Sequence, residues 1–144
     1  MKPIEFFVPG IPVAKGSARS FYIKKTGKTV TVQDNKDRQR PWASIISYAA
    51  QEKGVQMIAG PVEIVLVFAM PRPKSHYGTG KNKDSLKENA PLWHTVTPDL
   101  DKLIRCVLDA LTGIVWKDDK QVVSIRAGKL YNCRPGVNIE IKEI

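Results

Sequence analysis

The run Val62–Met70 constrains the fold of this chain more than any other stretch. Val62, Ile64, Leu66, Phe68 and Met70 alternate with Glu63, Val65, Val67 and Ala69, so one face is wholly apolar and the other nearly so. Period-two alternation of this kind describes a strand buried on one face and largely apolar on the other, which belongs inside a sheet rather than at its rim. No apolar stretch approaches the roughly 18 residues that a membrane crossing requires. The start Met1-Lys2-Pro3-Ile4-Glu5 lacks the apolar region of a signal peptide. Membrane-bound and secreted proteins are therefore disfavoured and a cytoplasmic one is expected.

A central strand needs neighbours, and the rest of the pattern supplies them. Residues 4–8 form a short apolar run closed by Pro9-Gly10 and read as a first strand. Phe21-Tyr22-Ile23 and Thr29-Val30-Thr31-Val32 flank Lys24-Lys25-Thr26-Gly27-Lys28 as a basic hairpin. A helix is predicted to begin near Pro41, a residue suited to the first helical position, and to end at Gly54, with Trp42, Ile45, Ile46 and Ala49 as its core face. A second helix is predicted over residues 98 to 111, with Leu100, Leu103, Ile104, Val107, Leu108 and Leu111 as its apolar stripe and Gly113 as its stop. Residues 121–131 and 136–141 read as the arms of a terminal hairpin. The order β, ββ, α, β, α, β, β, in 144 residues of which 42% are apolar, predicts a single α+β domain over residues 1–144: a small mixed sheet with two main helices.

The stretch from 71 to 97 departs from this regularity. It is rich in Pro, Gly, Lys and Ser, and a connection of that length without periodicity is either mobile or functional. Gly78-Thr79-Gly80-Lys81 lacks the spacing of a phosphate loop. His76 and His94 are read as surface residues without a role. Trp93 and Tyr77 either stack on unpaired bases or anchor the loop to the core.

Charge narrows the partner. The chain has 23 Lys and Arg against 14 Asp and Glu, a net charge of +9, which favours a polyanion and nucleic acid ahead of a membrane surface. Lys15, Arg19, Lys24, Lys25, Lys28, Arg72, Lys74 and Lys102 are the candidate DNA contacts, the plainer alternative being a solvated basic face. Cys106 and Cys133 lie outside any disulfide or zinc spacing and are expected to be free thiols.

Against this basic background, Asp99, Asp101, Asp109, Asp118 and Asp119 cluster within residues 97–120. Acidic residues complementing a helix dipole would explain some of them. As oxygen donors they also suit a hard divalent cation, magnesium better than zinc. Spacing sets a condition: two residues turn about 200° around a helix, so Asp99 and Asp101 share a cation only if Asp99 is extended or capping. Thr97 before Pro98 is biased toward extended backbone, which permits that. Thr97 as cap with Pro98 first in the helix would instead separate the two carboxylates. Further along, Asp101, Arg105 and Asp109 lie on one polar stripe, each aspartate within reach of Arg105. Asp109 reads as a structural partner of that arginine, and Asp118 as a residue shaping the turn after Trp116.

Thr97-Pro98-Asp99-Leu100-Asp101-Lys102-Leu103, Val107-Leu108-Asp109-Ala110-Leu111 and Trp116-Lys117-Asp118-Asp119-Lys120-Gln121-Val122-Val123 together resemble the RusA-type Holliday junction resolvases, the crossover junction endodeoxyribonucleases, with their DxDNL, DAL and DDxQV blocks in order. Pro9-Gly10-Ile11-Pro12 and residues 15–19 are similar to that family's opening loop. The resemblance implies a homodimeric endonuclease of bacterial or phage origin. Such an enzyme uses Mg²⁺, with Mn²⁺ as a substitute, to nick two strands of a four-way DNA junction symmetrically in recombination, repair or phage DNA processing. It implies Asp99, Asp101 and Asp119 as catalytic metal ligands, with Asp118 as a weaker neighbour. The family's catalytic lysine falls on Arg105, which can stabilise charge on a phosphate but is a poor proton acceptor. The family's asparagine after the second aspartate is Lys102. A second function class stays open: a non-catalytic DNA-binding relative in which Lys102 and Arg105 have displaced the metal.

Overall fold

The computed structural model describes residues 2–16, 18–33 and 36–144. Along the chain run β1 (Ile4–Pro9), β2 (Ala18–Ile23), β3 (Lys28–Gln33), α1 (Lys36–Glu52), β4 (Val62–Met70), α2 (Leu100–Leu111), β5 (Val122–Tyr131) and β6 (Gly136–Glu143). The first sheet has four strands in the order β1-β6-β4-β5, and β2 with β3 forms a separate two-stranded sheet. β4 runs parallel to β5 and antiparallel to β6, which is antiparallel to β1. This is the α+β class read from the sequence, with β4 inside the sheet.

The terminal hairpin is not formed. β5 and β6 are not neighbours, because β4 lies between them. The physical reason is burial: Val62, Ile64, Leu66 and Phe68 of β4 and Val137, Ile139 and Ile141 of β6 are fully buried, whereas Val123 and Ile125 of β5 are 59% and 44% exposed. The strand with the most apolar surface takes the interior position and pushes β5 to the rim. The parallel β4–β5 pair also requires a long crossover, and α2 provides it.

Both helices contribute to one core against the sheet. Trp42, Ile46 and Ala50 from α1 and Leu103, Cys106, Val107 and Leu111 from α2 join the buried strand residues. Ile45, expected on the core face, is 44% exposed: burial follows the row 42, 46, 50, and Ile45 lies on its flank. α1 also begins at Lys36, ahead of Pro41, which stands inside the helix. A proline there removes only the donor to the Asp37 carbonyl, and the polar first turn carries no apolar period by which a sequence could reveal it. Burial pushes the Cys106 thiol up to about 11, with the Asp109 carboxylate adding to the shift. It is a core residue, and both cysteines are free. Among the described residues no helix is long and apolar enough to cross a membrane.

Candidate active site

α2 opens at Leu100, and Asp99 stands before it as the N-cap residue with extended backbone, φ −70° and ψ 142°. The Asp99 carbonyl accepts from the Leu103 N–H at 3.1 Å, while its side chain makes no capping bond. Of the two local readings, the extended Asp99 is therefore the one adopted. Asp99 and Asp101 are both exposed at the amino end of α2.

Asp99 is delivered there by the edge strand. Lys129 of β5 donates from Nζ to the carbonyls of Val96 and Pro98, at 2.6 and 2.7 Å. The His94 N–H donates to the Lys129 carbonyl and the Tyr131 N–H to that of Leu92, at 3.3 and 2.9 Å, so residues 92–94 pair along the outer rim of β5. Lys129 escaped the sequence reading. Its signal was present, since it stands opposite Phe68 in a register row with Ile125, Ala127 and Tyr131, where an apolar residue would be ordinary.

Asp119 is placed by a different device. Asp118 caps the turn Asp119–Gln121, its Oδ1 accepting from the Lys120 N–H at 3.0 Å. Gln121 closes the capping box by accepting from the Asp118 and Lys117 N–H groups at 3.2 and 3.0 Å. Its amide Nε2 donates to the Ile58 and Gly60 carbonyls at 2.9 and 3.1 Å, fixing the turn to the segment before β4. Gln121 belonged to the motif read from the sequence but was given no task there. Gln121→Ala removes all four bonds. It should lower unfolding stability by about 2 kcal/mol, read as a lower urea midpoint at unchanged slope.

Arg105, near the middle of α2, ties that helix to the turn. Its Nη2 donates to Asp119 Oδ2 at 2.5 Å, and its Nε lies 3.2 Å from Asp109 Oδ1, an ionic approach without hydrogen-bond alignment. Lys15 Nζ in turn donates to Asp109 Oδ2 at 3.0 Å. Four alternating charges thus run Lys15, Asp109, Arg105, Asp119. Of the two helix-face carboxylates within reach of Arg105, Asp109 pairs with it and Asp101 does not. Lys15 arrives on the loop after β1, where Gly10 has φ 135° and an added Cβ would meet the Trp42 ring at 2.9 Å. That loop is fixed to α2 by the Lys15 N–H donating to the Lys102 carbonyl at 3.1 Å.

Beside these residues lies a cleft of about 1210 Å³ whose walls include Lys15, Trp42, His94, Asp99 and Lys102. His94 is 7% exposed, a correction to its reading as a surface residue, and its ring meets Tyr131 edge-on at 5.0 Å. Burial, then the Lys129 charge, lowers its pKa from the ordinary value near 6.5. The unfolded chain therefore binds the proton more readily. Stability should be intact above about pH 6.5 and fall as pH drops below it, by at most about 1.4 kcal/mol per pH unit. Melting curves of the wild type and His94→Phe between pH 7.5 and 5 check this, the variant giving the flatter profile.

The basic candidates divide by environment. Lys24, Lys25 and Lys28 are exposed on the β2–β3 hairpin, around its turn, and Lys74 is exposed in the long loop. Arg72 is directed inward: its Nη1 donates to the Pro91 carbonyl at 2.6 Å, and its guanidinium lies 5.1 Å from the Tyr131 ring centre. The side chain of Arg19 lies outside the described residues.

As oxygen donors, Asp99, Asp101 and Asp119 are of the chemical type that suits a hard cation. Among the described residues, however, no three His, Cys, Asp or Glu side chains converge as a cation-holding group. The Asp119 carboxylate faces Arg105 instead.

Comparison with known proteins agrees with the motif blocks. Over its whole length the chain is 33% identical to the protein described as "Uncharacterized protein YqaN" of Bacillus subtilis (strain 168), covering 99% of that protein. It is 26% identical to a protein described as "Crossover junction endodeoxyribonuclease rusA" of Lactococcus phage r1t, across 65% of this chain and 88% of the phage protein. The family described as Endodeoxyribonuclease RusA matches residues 9–142, a span holding the DxD and DDxQV motifs and the arginine between them, and the chain belongs to that family.

Proposed function

We propose that this chain is a structure-selective endodeoxyribonuclease that resolves four-way DNA junctions by paired symmetric nicks, acting as a homodimer in the cytoplasm of a bacterium on recombining or phage DNA. The observation that supports this reading is the contact between Arg105 and Asp119, which ties α2, one turn past its DxD motif, to the DDxQV turn. A two-fold dimer offers two such ends to a substrate with two equivalent strands. Exposed lysines of the β2–β3 hairpin and the long loop would bind phosphates without reading sequence.

Mg²⁺, or Mn²⁺ in its place, is the proposed cofactor, and it would supply charge neutralisation at the scissile phosphate and a more acidic water. Asp99, Asp101 and Asp119 would hold it. Asp118, committed to its cap, would support Asp119 rather than replace it. Arg105 would stabilise negative charge as it builds on the phosphate, since a guanidinium does not accept a proton at neutral pH. The products would carry 5′-phosphate and 3′-hydroxyl ends.

One observation favours the second reading, a non-catalytic junction-binding relative: the guanidinium already neutralises Asp119. Both readings require salt-sensitive DNA affinity, so affinity does not separate them. Cleavage does. A labelled four-way junction and a matched linear duplex are incubated with the protein in Mg²⁺ and in EDTA. The nuclease reading expects nicks in the junction only, abolished by EDTA; binding without nicks in either buffer supports the binding module.

A further inference from the structure

The long loop between β4 and α2 is closed at its base. Arg72, two residues past β4, donates from Nη1 to the Pro91 carbonyl at 2.6 Å, and the same atom lies 3.3 Å from His76 Nδ1. Its guanidinium stands 5.1 Å over the Tyr131 ring, which the His76 ring meets edge-on at 4.8 Å. Tyr131 is buried at the end of β5, so the clamp rests on the sheet. Beyond it, residues 76–87 fold back as a small hairpin. The Lys87 N–H donates to the His76 carbonyl and the Gly78 N–H to that of Ser85, both at 2.9 Å, and Tyr77 bridges to Leu86. Lys74, Lys81, Lys83 and Lys87 are exposed along this segment.

We propose that Arg72 is a positioning residue for DNA, which with His76 holds the lysines of the loop in one arrangement instead of touching phosphate itself. A guanidinium only donates, so its approach to Nδ1 requires a lone pair there, and hence a neutral imidazole carrying its proton on Nε2. Acid removes that lone pair and sets two cations 3.3 Å apart. The clamp therefore holds while His76 is neutral and loosens as the ring takes up a proton. Nothing nearby offsets the added charge. Lys74 shares the turn with His76, His94 meets the Tyr131 ring at 5.0 Å, and the Lys129 charge acts on His94. Asp84 and Glu88 are exposed farther along the loop, and among the described residues neither Arg72 nor His76 is ion-paired to a carboxylate. The inference rests on the proposed reading of the loop lysines as phosphate contacts. Its test needs no cleavage.

Amide exchange in the loop and affinity for a labelled four-way junction in EDTA are measured on wild type, Arg72→Gln, Arg72→Lys and Arg126→Gln, with melting curves to show that each is folded. Arg126, exposed on β5, controls for the loss of one guanidinium from the protein as a whole. Arg72→Gln should lose about tenfold of the protection at the Gly78 and Lys87 N–H groups and bind the junction about tenfold more weakly. Arg72→Lys keeps a charged donor without the planar face over Tyr131 and should recover part of both, while Arg126→Gln should stay within about twofold of wild type. Between about pH 7.5 and about 5.5, loop protection should fall in wild type and equally in His94→Phe, but not in His76→Gln, whose amide oxygen still accepts from Arg72. Unchanged protection in Arg72→Gln, unchanged junction affinity despite lost protection, or an acid loss that His76→Gln does not prevent would overturn the proposal. Those results leave the nuclease reading standing, because nicking in Mg²⁺ is scored separately. The expected pattern without nicks does the reverse.

Discussion

Asp119→Asn should lose junction cleavage by a factor on the order of 10³, about 4 kcal/mol of transition-state stabilisation, while still binding the junction. Asparagine keeps the size of the side chain and one carbonyl oxygen, so the capped turn Asp119–Gln121 should survive, held as it is by Asp118 and Gln121 rather than by Asp119 itself. What disappears is the charge, and with it both the ionic tie to Arg105 and a proposed cation ligand. Removing a negative charge from a protein of net charge +9 does not weaken attraction to DNA. Single-turnover cleavage and gel-shift affinity, measured on one preparation, separate the two quantities. Near-normal cleavage by Asp119→Asn would remove this residue from the chemistry and with it the role assigned to the turn.

The second large effect concerns a residue that touches no proposed substrate atom. Lys129→Met should lower cleavage by about 10² and leave junction affinity within a few-fold. Methionine can fill the space of the lysine stem but cannot donate to the carbonyls of Val96 and Pro98. The segment ahead of Asp99 then loses its tie to β5, and a displacement of an ångström in a catalytic group is enough for a loss of that size. Some stability should go as well, about 1–3 kcal/mol for two carbonyls deprived of a charged donor. Lys129→Arg, which keeps a donor, should recover part of the cleavage. A purely structural role would give a loss that follows the melting temperature across both variants; a positioning role gives a loss of cleavage at temperatures where both remain folded.

The difference between what the sequence disclosed and what it withheld follows from the range of the forces involved. β4 was legible because its burial is written in consecutive residues, and α2 because its stripe repeats within three turns. The Asp99 cap was legible only as a condition, since a proline-preceded segment allows two starts and the tie that selects one comes from Lys129, some 30 residues later. The partner of β6 was misread because alternation shows that Val137, Ile139 and Ile141 face a core without showing which strand lies beside them. Among the site residues, Asp99, Asp101, Arg105 and Asp119 were named from their motif positions. The Arg105–Asp119 contact was not foreseen, because it spans the turn between α2 and β5 and only helix spacing was available to suggest a partner. Gln121 bonds to carbonyls near residue 60, and His94 is covered by Tyr131; neither relation leaves a periodic trace in the sequence.

The most direct test of the central claim is the product of a supercoiled plasmid that extrudes a cruciform, incubated with the protein in Mg²⁺. Two coordinated, symmetric nicks across one junction yield linear plasmid as the first product, dependent on the cation and on Asp101, and the nuclease account predicts that result. Intact plasmid bound by the protein, or open circles that never become linear, would contradict it.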